Sequence, residues 1–102
     1  MTQLQQHTLS ILVDNKPGTL ARVTQLFARR AYNIEALVVG QTEDPALSRI
    51  TMIVGVAETP IEQIIRQTNK LVNVVEVVEL PPHSTVSQEL RAGAHGTYVL
   101  KN

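Results

Sequence analysis

Thr8-Leu9-Ser10-Ile11-Leu12-Val13-Asp14-Asn15-Lys16-Pro17-Gly18-Thr19-Leu20-Ala21-Arg22-Val23-Thr24-Gln25-Leu26-Phe27-Ala28 changes its hydrophobic period halfway along. Up to Asp14 the period is two: Leu9, Ile11 and Val13 point one way and Thr8, Ser10, Leu12 and Asp14 the other, which predicts a strand over His7–Asp14. From Thr19 the period is helical, with Leu20, Val23, Phe27 and Ala31 in one stripe, Leu26 beside it, and Arg22, Gln25 and Arg29 on the wet side. A helix is therefore predicted from about Thr19 to Ala31. Between the two lies Asp14-Asn15-Lys16-Pro17-Gly18. A glycine at such a turn permits backbone angles that other residues resist and lets a small molecule approach the main chain. The helix behind it opens with unpaired N–H groups and the positive end of its dipole, a place where an anion such as an amino acid's carboxylate fits. The plain alternative is that Pro-Gly is only a turn.

Outward from this unit the punctuation repeats. Tyr32-Asn33 breaks the helix, and a second strand is predicted over Ile34–Gln41. Thr42-Glu43-Asp44-Pro45 is a turn cluster. A third strand is predicted over Ser48–Val56, where Ile50, Met52, Val54 and Val56 alternate with Arg49, Thr51, Ile53 and Gly55. Thr59, Pro60 and Glu62 then read as a capping box with proline at the first helical position. In that second helix Ile61, Ile64, Ile65 and Leu71 face the core, with Thr68 on the same stripe. Asn73 turns the chain into a fourth strand, Val74–Leu80.

The order strand, helix, strand, strand, helix, strand specifies an α+β fold. Two right-handed crossovers put both helices on one face of a four-stranded antiparallel sheet, a ferredoxin-like βαββαβ sandwich. Leu12, Leu37, Val39 and Ile53 are the residues expected on the other face, subject to a slip in strand parity at a bulge. An apolar second face or a long edge strand marks a partner. Residues 1–80 are expected to form this domain. Residues 81–102 begin with Pro81-Pro82, have weak periodicity, and are expected to be a linker and tail, partly disordered or the remnant of a second domain.

Composition narrows the function classes. The chain has 102 residues, enough for one core. Only Phe27, Tyr32 and Tyr98 are aromatic, so that core is aliphatic. Nine basic and nine acidic residues cancel, which argues against nucleic acid or an anionic membrane as partner and leaves little repulsion between copies. With no cysteine there is no disulfide, zinc–thiolate site or thiol nucleophile, and the cytoplasm is the expected compartment. No apolar run reaches membrane-spanning length. The sheet lacks the exposed aromatics that RNA recognition needs. His7, His83 and His95 form no ligand or catalytic spacing, and no metal or cofactor site is expected. Glu35, Glu76 and Glu79 are read as carboxylates that solvate strand edges. What remains is a small binding module, its best site the Asn15–Gly18 turn together with Asn33. Asn33 is either a helix C-cap or a side-chain amide that grips a zwitterion.

Asp14-Asn15-Lys16-Pro17-Gly18-Thr19-Leu20-Ala21-Arg22-Val23, Leu26-Phe27-Ala28-Arg29-Arg30-Ala31-Tyr32-Asn33-Ile34-Glu35, Leu47-Ser48-Arg49-Ile50-Thr51 and Gln67-Thr68-Asn69-Lys70-Leu71-Val72-Asn73-Val74 strongly resemble the small, regulatory subunit of acetolactate synthase (acetohydroxyacid synthase), which begins with an ACT domain. The resemblance covers about residues 7–80. It implies a protein that is not itself an enzyme. Such subunits associate with a large catalytic subunit, raise its activity, and confer feedback inhibition by valine, sometimes by leucine or isoleucine. Thiamine diphosphate belongs to that catalytic partner; no cofactor is implied for the small subunit. The family's effector lies between two ACT domains, so a homodimer or larger assembly is implied. By position, Asn15, Gly18 and Asn33 match the effector-site residues, while Lys16, Pro17, Leu20 and Ile34 supply backbone contacts and walls. Two rival readings stand beside it. One is a free-standing amino-acid-sensing ACT module with another partner. The other is an acyl-phosphate hydrolase of the same fold, disfavoured because its loop would need an arginine where Lys16 stands.

Overall fold

In the computed structural model, residues 5–56, 60–81 and 84 are described. Residues 85–102, most of the expected tail, lie outside them, as does Thr59 of the expected capping box. The elements are β1 (Gln5–Asp14), α1 (Thr19–Arg29), β2 (Asn33–Gln41), β3 (Leu47–Val56), α2 (Ile61–Asn69) and β4 (Val74–Leu80). The four strands form one antiparallel sheet in the order β2-β3-β1-β4, so β2 and β4 are the edges. This is the expected βαββαβ sandwich.

Strand alternation explains which face the helices cover. Leu9, Ile11 and Val13 of β1 stand opposite Met52, Ile50 and Ser48 of β3. Leu9, Ile11, Ile50, Met52 and Val54 share one cluster with Val23, Leu26 and Phe27 of α1 and Ile61 and Ile64 of α2. Both helices therefore pack on the same face. Each large apolar side chain taken fully from water there stabilises the fold by about 1.5–3 kcal/mol.

The opposite face differs from its expected membership. Leu12 and Ile53 are on it, by their pairing with Arg49 and Thr8. Leu37 is not: it is buried in the helix-side cluster, and Val39 pairs with Ile50 and shares that parity. The reason is a bulge. The β2–β3 register shifts between Ile34 and Ala36, so Glu35 is an extra residue and every later side chain of β2 changes face. Ala36 packs on Ile53 on the outer face, with Val38 against them. A second bulge interrupts β4 where the register of β1 shifts between Leu12 and Val13.

The first helix ends two residues before its predicted limit, in a Schellman arrangement. Ala31 has φ 62°, its N–H donates to the Ala28 carbonyl at 3.2 Å, and the Tyr32 N–H donates to the Phe27 carbonyl at 3.1 Å. The rings of Phe27 and Tyr32 meet edge-on, 6.0 Å apart, as the apolar contact of that motif. The left-handed residue is thus Ala31, and Asn33 is the first residue of β2 rather than a C-cap. The Tyr32 hydroxyl donates to the Pro60 carbonyl at 3.2 Å, tying the end of α1 to the start of α2. Pro60 itself is extended and precedes α2, one position earlier than predicted.

Candidate functional site

The turn after β1 is fixed from three directions. The Asp14 N–H donates to the Asn73 carbonyl at 2.8 Å, and the Asn15 N–H donates to Ala46 at 2.8 Å. The Lys16 N–H closes back on Asp14 at 2.8 Å. The Asn15 side-chain amide also donates to the Pro45 carbonyl, at 3.4 Å. The β2–β3 connection therefore braces the turn from thirty residues away, a contact that no local pattern signals.

Gly18 then takes φ 83°, the left-handed region, and opens α1. A Cβ built there meets no heavy atom within 4 Å, so the requirement for glycine is conformational and the space beside it is open. No side chain caps the helix and no acidic residue lies in its first turn. Among the described residues, the Leu20 and Ala21 N–H groups have no protein acceptor. The Thr19 hydroxyl is buried and has no hydrogen-bond partner among the described residues. Asn15, Lys16, Pro17 and Leu20 are exposed around this helix end. The geometry suits an anion: open amide donors, dipole, and space.

Asn33 is elsewhere. It is exposed and stands opposite Gly55 of β3, whereas Asp14, at the mouth of the turn, stands opposite Leu47. Eight residues of strand separate those positions, roughly 27 Å. Asn33 and Gly18 thus sit at opposite ends of one sheet. Next to Asn33, the bulged Glu35 carboxylate accepts from the Gln6 amide at 2.7 Å. Ile34 is 3% exposed and its side chain is in the helix-side core, so only its backbone is left for a ligand; the bulge immediately after it was not visible in the strand pattern.

A hollow of about 640 Å³ lies on the outer face of the sheet at the hairpin end, lined among others by Leu12, Val38, Gly40, Asp44 and Arg49. None of residues 15–18 is among its lining residues. Among the described residues there is no cluster of three or more potential metal ligands, and no helix is long and apolar enough to cross a membrane.

Over residues 9–76 the sequence matches the family described as "AHAS small subunit-like ACT domain". It is 57% identical over 86 residues to an acetolactate synthase small subunit of Mycobacterium avium, covering 84% of this chain and 52% of that protein. It is 49% identical over 85 residues to a probable acetolactate synthase small subunit of Archaeoglobus fulgidus, covering 83% of this chain and 53% of that one. The crystal structure of the acetolactate synthase small subunit from Thermotoga maritima superimposes with a TM-score of 0.70 at 46% identity, covering 78% of this chain and 49% of that chain. An ACT domain from a GTP pyrophosphokinase of Chlorobium tepidum shares the fold alone, with a TM-score of 0.64 at 17% identity. The chain spans about half the length of the curated relatives it matches.

Proposed function

The chain belongs to the family of acetolactate synthase small-subunit ACT domains, and from that premise we propose that it is the effector-sensing part of a regulatory subunit for that enzyme. It associates with the thiamine-diphosphate-dependent catalytic subunit, raises its activity, and transmits feedback inhibition by valine or a related branched-chain amino acid. The catalysis belongs to the partner.

The placement of Gly18 and Asn33 at opposite ends of the sheet carries this reading. No single copy brings them together. A second copy laid antiparallel along the free edge of β2, about an axis near Leu37, sets its own Asn33 beside Gln41 of the first. Gln41 pairs with Ser48, at the same end of the sheet as Asp14 and the Asn15–Gly18 turn. The pair of copies then completes two equal sites. In each, the helix N-terminus and Asn15 receive the carboxylate of the amino acid, Asn33 of the other copy reads its polar end, and Pro17 and Leu20 flank its side chain.

Mixing the chain with the catalytic subunit tests the reading. Acetolactate formation rises on addition of the chain and falls again with valine. Valine also raises the melting temperature of the chain, while aspartate does not, because its second carboxylate would be left unpaired among apolar walls. Failure to co-purify with the catalytic subunit, together with no thermal response to any branched amino acid, refutes it.

A further inference from the structure

The outer face of the sheet is buried more deeply than the described elements explain. Strand pairing sets its residues in rows. Ala36 of β2, Ile53 of β3, Thr8 of β1 and Leu80 of β4 stand side by side in one row, and Val38, Thr51, Ser10 and Val78 in the next. In the first row Ile53 and Thr8 are 2% exposed and Ala36 4% within a single copy, although both helices lie on the opposite face. The flanks of that row have their own cover. On one side the Gln6 amide donates to the Glu35 carboxylate at 2.7 Å, and on the other the Arg49 guanidinium donates to the Ser10 hydroxyl at 2.5 Å. The row itself holds no long polar side chain that could fold over its neighbours. The Thr8 hydroxyl is buried without a hydrogen-bond partner among the described residues, so apolar atoms rather than water lie over it. Burial fades away from this row: Val78 is exposed, and so are Gly40, Arg49 and Glu76 toward the hairpin end.

We propose that residues 85–102 are this cover, a strap that folds back from the end of β4 and lays Val86 and Leu90 across Thr8, Ile53 and Ala36. The cover belongs to the same copy, since the residues beneath it are buried within one chain. It starts at the right place. Leu80, the last residue of β4, is itself in the buried row, and the Ser84 N–H donates to the Pro81 carbonyl at 3.0 Å, closing a turn directly after the strand. It is also long enough. Three strand spacings, roughly 14 Å, separate Leu80 from Ala36, and eighteen residues follow Ser84. Val86 and Leu90 are four apart, a spacing that puts both on one side of a helical turn, with Ser87, Gln88 and Glu89 between them. Other segments fit less well. Residues 57–59 join β3 to α2 on the opposite face, and residues 1–4 would have to fold back over Gln6, which is exposed. The strap occupies the second face of the sheet, so a partner reaches that face only by displacing it.

Nuclear magnetic resonance of the full chain, labelled with carbon-13 at its methyl groups, tests this. Overhauser contacts are expected from the Ile53 and Ala36 methyls to those of Val86 or Leu90, and none between labelled and unlabelled copies mixed in one sample. Val86→Asp combined with Leu90→Asp abolishes those contacts, keeps the contacts within the sheet, and lowers the melting temperature by roughly 4–8 °C or more. Contacts to Ile53 only between copies assign the face to a second copy and overturn the proposal. So do contacts to residues 1–4 in place of Val86 and Leu90, Ile53 and Ala36 methyls that touch only the sheet, or a double variant as stable as the unaltered chain. If the double variant does not fold, the contacts in the unaltered chain decide alone.

Discussion

Replacing Gly18 by aspartate separates the backbone role of this residue from the role proposed for it beside a ligand. At φ 83° any side chain is strained, by about 1–2 kcal/mol. Nothing lies within 4 Å of the new Cβ, so no steric cost is added. The carboxylate sits at an uncapped helix N-terminus with no acidic residue in the first turn, which returns about 0.3–1 kcal/mol. The net loss is about 1 kcal/mol, a fall in melting temperature of roughly 4–8 °C for a domain of this size. Gly18→Asn carries the same backbone strain without the charge, so it isolates the dipole contribution. The effect on sensing is larger. Under the proposed function, valine at a hundredfold excess over Kd should stabilise the unaltered chain by about 2.7 kcal/mol, a shift of roughly 10 °C or more. In Gly18→Asp that shift disappears, because the new carboxylate occupies the ligand's place and repels its charge. Differential scanning calorimetry of the three chains with and without valine reads both effects. A folded Gly18→Asp chain with an undiminished valine shift would falsify the placement of the site at this turn.

Three further outcomes follow from the geometry. Ala31→Gly should stabilise the fold by about 0.5–1 kcal/mol, because glycine relieves the left-handed strain at the end of α1 at a smaller cost in chain entropy; an unchanged or lower urea midpoint counts against that account. Burial, and secondarily the Glu62 carboxylate, raise the Tyr32 hydroxyl above its ordinary value of 10.0, so the contribution of the neutral phenol is intact below pH 10 and is lost as pH rises through the folded value. Tyr32→Phe should cost about 1 kcal/mol at neutral pH through the lost bond to Pro60 and should show a shallower alkaline loss of stability; parallel pH profiles for the two chains refute this. Analytical ultracentrifugation at micromolar concentration should find a dimer or larger species, and a lone monomer with and without valine removes the two-copy site.

Much of the architecture was legible because each element announces itself locally. Leu9, Ile11 and Val13 alternate, and Val23, Leu26 and Phe27 recur at helical spacing; both sets are in the core. Gly18 was legible as a turn glycine and has the positive φ that justifies it. The misplacements all trace to single-residue events that leave no pattern. One extra residue at Glu35 moved Leu37 and Val39 to the helix side. Asn33 looked like the left-handed residue because asparagine tolerates that region, yet the chain put Ala31 there, where the Phe27–Tyr32 contact locks the motif. The bracing of Asn15 by Pro45 and Ala46 joins residues thirty apart and is a product of the β1–β3 pairing, beyond the reach of any local window. Arg49 was visible in the sequence, but only the sheet shows that it is exposed and without a carboxylate partner among the described residues.

If the proposed site needs Gly18 of one copy and Asn33 of another, which lie at opposite ends of one sheet, the abundance of the chain becomes a variable in what it would detect. In the two-copy arrangement, dilution into single copies removes every site at once, whatever the amount of amino acid present. The half-saturating concentration of ligand therefore falls as the chain becomes more concentrated, and ligand in turn holds the copies together by the same linkage. A substitution along the free edge of β2, touching neither half of the site, would then be scored in an ordinary titration as a weakened grip on valine, and only a titration repeated at several protein concentrations would reveal that the grip itself had not changed.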